Sequence, residues 1–68
     1  MAKNFGIVGD KEYKGMNLED AQKMAEQNGF SSRVVEIDGK SLMVSAEIKN
    51  NRINFRVRNN IITEAYPG

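Results

Sequence analysis

Hydrophobic and polar residues alternate along the second half of the chain in the manner of a half-buried β-strand. Within Arg52–Arg58 the apolar side chains of Ile53, Phe55 and Val57 occupy every second position, so they share one face. An earlier run, Arg33–Ile37, is rich in β-branched residues and predicts a strand that is half or fully buried. Two strands are therefore expected, separated by the stretch between residues 38 and 51.

A turn and a further strand follow the alternating segment. Asn59 and Asn60 are adjacent, and asparagine tolerates a positive φ better than other residues with a side chain. The range Ile61–Tyr66 should then run back beside its predecessor as an antiparallel strand, ended by Pro67.

The first residues carry weaker signals. Asn4–Val8 is a short apolar patch interrupted by glycine, which predicts either a brief strand or a loosely packed arm. Asp10–Lys14 is polar and reads as a connector, with Tyr13 at the edge of the core. Residues 1–12 are accordingly treated as an N-terminal arm or short strand.

One helix is predicted between residues 18 and 28. Asn17 suits its N-cap, and Glu19 and Asp20 place negative charge in the first turn, where the helix dipole favours it. Gly29 suits the left-handed residue that follows a helix. The apolar stripe has three- and four-residue spacing and consists of Leu18, Ala21, Met24 and Ala25. A helix packed on one face of a small mixed sheet predicts an α+β fold in a single domain, 1–68.

The stretch from Asp38 to Asn51 joins the two central strands. It has too few helix signals for a crossover helix, and it is too long and too apolar for a tight hairpin. We therefore expect an extended loop. Exposed loops on a rigid scaffold often carry binding function.

Composition narrows the classes of function. The chain has 68 residues, no cysteine and no histidine, which removes thiolate chemistry and the usual general base and metal ligand. We expect no enzymatic activity, no cofactor and no metal. A net charge of +1 favours no charged partner, and no apolar run is long enough to span a membrane. The start is not a secretory signal, so the compartment stays open, export included if a signal has been removed.

Several ordered motifs resemble one known family. They are Gly15-x-Asn17-x-x-Asp20-Ala21, Arg33-Val34-Val35, Val44-Ser45-Ala46-Glu47-Ile48-Lys49-x-x-Arg52-Ile53-Asn54-Phe55-x-Val57 and Ile62-Thr63-x-x-x-x-Gly68. Together they resemble the potato inhibitor type I family of serine-protease inhibitors, its bacterial branch most closely. The resemblance covers residues 13–68 and implies an inhibitor-like core. It also implies two parallel strands joined by an extended protease-binding loop.

The resemblance further implies substrate-like inhibition of subtilisin- or chymotrypsin-like proteases. Ala46 would enter the primary specificity pocket, and Ala46–Glu47 would be the pseudo-scissile bond. A small residue there suits the permissive pockets of subtilisin- or elastase-like enzymes better than that of trypsin. The implied protease-binding residues are Met43, Val44, Ser45, Ala46, Glu47, Ile48 and Lys49. The sequence departs from the family at four positions: Ser45 replaces Thr, Ile48 an aromatic residue, Lys49 an Arg, and Asn54 a second supporting Arg.

The residues expected to support the loop are Arg52 and Asn54. They lie two residues apart on a strand and project from the face opposite Ile53. That second face is not needed for the core, so it can support the loop. In the family, Thr and acidic side chains of the loop bind arginines of the next strand; Ser45 and Glu47 occupy those positions. We expect the Arg52 guanidinium to bind the Glu47 carboxylate in a charge-assisted contact, for which a bidentate geometry is available.

Two other functions stay open. A basic stripe formed by Lys49, Arg52, Arg56 and Arg58 could contact a nucleic-acid backbone. However, Phe55 is its single aromatic residue, and the alternation assigns Phe55 to the core, so no base-stacking platform is expected. The same fold could also serve as a non-inhibitory protein-interaction module. The favoured partner is a serine protease, bound by a monomer. We expect no membrane partner, and a nucleic-acid partner is disfavoured.

Overall fold

A computed structural model describes residues 10–68 and places a helix against one four-stranded mixed sheet. The helices are α1 (Asp10–Tyr13) and α2 (Leu18–Gln27), and the strands are β1 (Ser31–Ile37), β2 (Lys40–Ser41), β3 (Arg52–Arg58) and β4 (Ile61–Pro67). The strand order is β2-β1-β3-β4, with β1 and β3 parallel and both edge pairings antiparallel. The predicted α+β fold is confirmed. The segment Asn4–Val8 lies outside the described residues.

Helix α2 begins and ends close to the predicted positions. The Asn17 side chain accepts a hydrogen bond from the backbone N–H of Asp20 at 2.9 Å, which satisfies a donor that the first turn leaves free. Asn28 is the C-cap, so the helix ends at Gln27, one residue before its predicted end. Gly29 has a φ of +86°, and Phe30 donates its N–H to the Ala25 carbonyl at 2.9 Å, as a Schellman-type ending requires.

One buried cluster lies between the helices and the sheet. Its members are Tyr13, Ala21, Ala25, Phe30, Ile53, Phe55, Val57, Ile62 and Ala65. The alternating face of β3 is therefore core, as predicted, while Leu18 and Met24 are half-buried at the margin. No helix between residues 10 and 68 is long and apolar enough to cross a membrane.

The connector prediction for Asp10–Lys14 was wrong. The chain forms the single turn α1 there, and Tyr13 is completely buried instead of lying at the edge of the core. The Tyr13 ring centroid is 5.5 Å from that of Phe55, and the Tyr13 hydroxyl accepts a hydrogen bond from the Asn28 side chain at 3.4 Å. The contact between Tyr13 and Phe55 stabilises α1, and no local sequence pattern predicts that contact.

The loop prediction also needs a correction at its first residues. Asp38 and Gly39 have φ values of 51° and 84° and turn the chain into β2, where Lys40 pairs with Ile37 of β1. Two consecutive positive φ values are what a tight hairpin turn requires, and Asp-Gly adopts them at little cost. The extended segment is thus confined to residues 42–51, here called the exposed loop.

Candidate functional site

The exposed loop carries its side chains into solvent. Every residue from 42 to 51 is exposed, and the side chains of Met43 and Ile48 are 100% and 83% accessible. Residues 42–51 form no strand; the chain bends at Ala46 and turns at Asn50 and Asn51. The residue that the resemblance assigns to the specificity pocket therefore lies at the bend.

Two guanidinium groups hold the main chain on either side of this bend. Arg52 donates through Nη2 to the carbonyl oxygen of Glu47 at 2.8 Å. Arg33 donates through Nη1 to the carbonyl oxygen of Ser45 at 3.3 Å. Hydrogen bonds from a charged donor are stronger than neutral ones, so both bonds restrain the backbone next to Ala46.

Arg52 is itself fixed from below. Its side chain is only 8% exposed, and its Nε donates to the main-chain oxygen of Gly68 at 3.1 Å. Gly68 in turn donates its N–H to the Arg52 carbonyl and accepts a hydrogen bond from the N–H of Lys49. The residue after β4 thus links the second half of the exposed loop to the start of β3.

Asn54 supports the loop indirectly. Its side chain is almost completely buried, and its Oδ1 accepts a hydrogen bond from Nε of Arg33 at 2.9 Å. Arg33 and Asn54 are register partners in the parallel pairing of β1 with β3, which places their side chains next to each other. Asn54 orients Arg33, and Arg33 contacts the loop.

The first half of the loop is tied to the sheet through its main chain. Leu42 donates its N–H to the carbonyl of Val35 at 2.9 Å, which extends the β2 edge by one contact. At the other end, the Asn51 carbonyl accepts a hydrogen bond from the N–H of Ser31 at the start of β1. Both ends of the loop are therefore anchored on β1. Val44, one of the implied protease-binding residues, is exposed to 39%.

The expected contact between Arg52 and the Glu47 carboxylate is not formed. Arg52 binds the carbonyl oxygen of Glu47 instead, and the Glu47 side chain is exposed. Ser45 likewise contributes its carbonyl, to Arg33, and not its hydroxyl to Arg52. The geometric reason is that Arg52 lies buried beneath the loop, where the nearest acceptors belong to the main chain. The face that carries Arg52 and Asn54, expected to be free, is covered.

Sequence reasoning missed Arg33 as a supporting residue. Arg33 belongs to a quoted family motif and begins a predicted strand, but neither pattern gives it a role in the loop. The available signal was an arginine on the predicted strand before the loop, opposite a polar position of the strand after it. Only the parallel register, which pairs Arg33 with Asn54, shows that the two side chains meet.

The predicted basic stripe does not form one free surface. Arg56 makes ion pairs with Glu36 at 3.3 Å and with Glu64 at 3.1 Å. Arg52 is buried and hydrogen-bonded, which leaves Lys49 and Arg58 exposed. Between residues 12 and 68, no group of three or more metal-ligating side chains could hold an ion.

Comparisons of this chain with protein-family models, with curated proteins and with solved structures found no match. The resemblance to the potato inhibitor type I family thus remains a prediction that rests on the quoted motifs.

Proposed function

We propose that this protein is a serine-protease inhibitor that binds subtilisin- or chymotrypsin-like enzymes through the exposed loop. The pseudo-scissile bond is Ala46–Glu47. The observation that carries the proposal is the pair of guanidinium contacts to the Ser45 and Glu47 carbonyls, one on each side of that bond. An extended segment restrained in this way has already lost most of its conformational entropy, so binding costs less.

The same contacts explain how a substrate-like loop would resist hydrolysis. The protease serine attacks the Ala46 carbonyl carbon, the bond to the Glu47 nitrogen breaks, and an acyl-enzyme forms as that nitrogen takes up a proton. Arg52 still holds the Glu47 carbonyl, so the new amine stays beside the ester and can attack it in return. Religation then competes with water, and the intact inhibitor is restored.

Specificity follows from the small residue at the bend. Ala46 offers one methyl group to the primary pocket, which suits a shallow or permissive site. A trypsin-like pocket with a buried carboxylate would be left with an unpaired charge, which is costly. Subtilisin-like and elastase-like enzymes are therefore the expected targets.

Replacing either supporting arginine tests the proposal. Arg52→Ala and Arg33→Ala should each weaken inhibition of subtilisin by at least about tenfold, equivalent to roughly 1.4 kcal/mol. Both variants should also be cut at Ala46–Glu47 faster than the parent, since the cleaved ends separate more easily. Inhibition constants and the decay of intact mass during incubation with subtilisin give the two readouts.

Arg58→Ala is the matched control, because Arg58 is an exposed arginine of the same strand as Arg52. Removing Arg52 also removes charged hydrogen bonds from a buried site, so a loss on the order of 2 kcal/mol of unfolding free energy is expected. Urea melts then fix conditions under which every variant is folded. Equal inhibition and equal lifetimes for parent and both alanine variants, under those conditions, would contradict the proposal.

The same assay tests the alternative of a non-inhibitory interaction module. That alternative is favoured if the parent protein does not inhibit subtilisin. Nucleic-acid binding receives no support from the site, since Arg52 is buried and Arg56 lies between two carboxylates.

A further inference from the structure

Two apolar side chains stand out by their exposure. Met43 is 100% accessible and Ile48 is 83% accessible, whereas the other exposed large apolar side chains of residues 12–68 lie between 37% and 41%. Both belong to the exposed loop, three residues before and two residues after Ala46. The most exposed apolar surface of the described chain therefore flanks the proposed scissile bond on both sides.

The free energy of burying an apolar group grows with the area that is removed from water. Ala46 can bury only a methyl group in a protease, while Met43 and Ile48 each carry a much larger apolar side chain. In addition, the main chain on both sides of Ala46 is already restrained by Arg33 and Arg52, so the backbone that carries these two side chains has little freedom left. Less conformational entropy is then lost when a partner covers them.

We infer that Met43 and Ile48 supply more of the affinity for the target protease than Ala46 does, while Ala46 restricts the target to enzymes with a small primary pocket. The partner is a serine protease with two apolar depressions flanking a small primary pocket. One depression receives Met43 on the acyl side of the bond, and the other receives Ile48 on the leaving-group side. Five residue steps separate Met43 from Ile48, so their Cα atoms lie at most about 17 Å apart, and the two depressions must be spaced accordingly. This inference rests on the proposed function.

Alanine variants of the two residues test it. Inhibition constants are measured against subtilisin and a pancreatic-type elastase for the parent, Met43→Ala, Ile48→Ala and Met43→Leu. Each alanine variant should bind at least about tenfold more weakly to the enzyme that the parent inhibits best, whereas Met43→Leu should stay within about threefold because it keeps the apolar volume.

Ile37→Ala is the control. Ile37 is an exposed isoleucine at the end of β1 remote from the bend, 40% accessible, and its removal should leave inhibition unchanged. Both loop residues are exposed, so their variants should keep the parent's urea midpoint, which shows that any lost affinity is not lost folding.

The outcomes separate the two levels of the argument. A parent that inhibits, with both alanine variants within about twofold of it, overturns this inference and leaves the proposed function standing. A tenfold loss for one variant alone overturns the role given to the other residue. A parent that inhibits neither protease overturns the proposed function and this inference with it.

Discussion

At residue 47, the structure uses the main-chain carbonyl oxygen and not the side-chain carboxylate that the sequence pattern emphasises. Arg52 reaches the Glu47 carbonyl oxygen at 2.8 Å, and the Glu47 carboxylate remains in solvent. Every amino acid supplies a carbonyl oxygen, so this support does not depend on an acidic residue. The same is true of Ser45, whose carbonyl is held by Arg33.

The substitution Glu47→Gln tests which atom is held. Glutamine keeps the size of the side chain and removes its charge. Because Arg52 binds the main-chain carbonyl oxygen, its contact with residue 47 should persist. We expect the variant to survive subtilisin within about twofold of the parent's lifetime, measured as the decay of intact mass, while Arg52→Ala is cut faster. If Glu47→Gln were cut as fast as Arg52→Ala, the carboxylate would be the group that supports the loop.

At the scale of the element, α2 shows how local and tertiary interactions combine. Its N-cap is satisfied by Asn17 through a hydrogen bond to the backbone of Asp20. Its buried residues are the small Ala21 and Ala25, so the helix lies on the sheet without a large side chain between them at these positions. The cap acts between neighbouring residues, whereas the two alanines contribute by letting the helix pack closely on the sheet.

Replacing the cap should weaken the whole domain. Asn17→Ala removes the acceptor for the Asp20 N–H, and we expect the free energy of unfolding to fall by about 1 kcal/mol. Urea melts followed by far-UV circular dichroism measure it. Gln22→Ala, on the exposed side of the same helix, is the control and should change stability by no more than about 0.5 kcal/mol. Equal midpoints for parent and Asn17→Ala would show that water replaces the cap without loss.

At the scale of the molecule, the buried apolar residues of the described chain form one cluster centred on β3. Phe55 is completely buried there, and its ring contacts that of Tyr13. A domain of this size has a small stability margin, since its surface is large relative to its volume. The exposed loop depends on this core, because both supporting arginines project from the sheet that the core holds.

Truncating Phe55 should therefore affect the entire protein. Phe55→Ala should cost on the order of 3–5 kcal/mol, which is comparable to the total stability of about 3–10 kcal/mol for a chain of this length. Denaturant melts of the parent and the variant measure the loss, with Ile61→Ala as an exposed control. A loss below about 1 kcal/mol would mean that the inward face of β3 has been misread.

Several elements could be predicted because they are specified over a few residues. The alternation of β3, the cap at Asn17 and the paired asparagines at the β3–β4 turn each act through neighbouring backbone. Asn59 and Asn60 have φ values of 52° and 67°, as their residue type predicted. The Asp38-Gly39 hairpin has an equally local signal. It was not predicted because the apolar residues that follow it made the whole stretch 38–51 look too long and too apolar for a tight turn.

The sequence by itself determined the α+β class, the helix, the two central strands and the position of an exposed segment between them. Only the tertiary structure decided which groups hold that segment. Arg33 meets Asn54 and the Ser45 carbonyl because β1 and β3 are parallel neighbours, and Tyr13 is buried because Phe55 lies opposite. The physical reason is one of range. Backbone preferences act within a turn of chain, whereas a guanidinium finds its acceptor only after distant strands have paired.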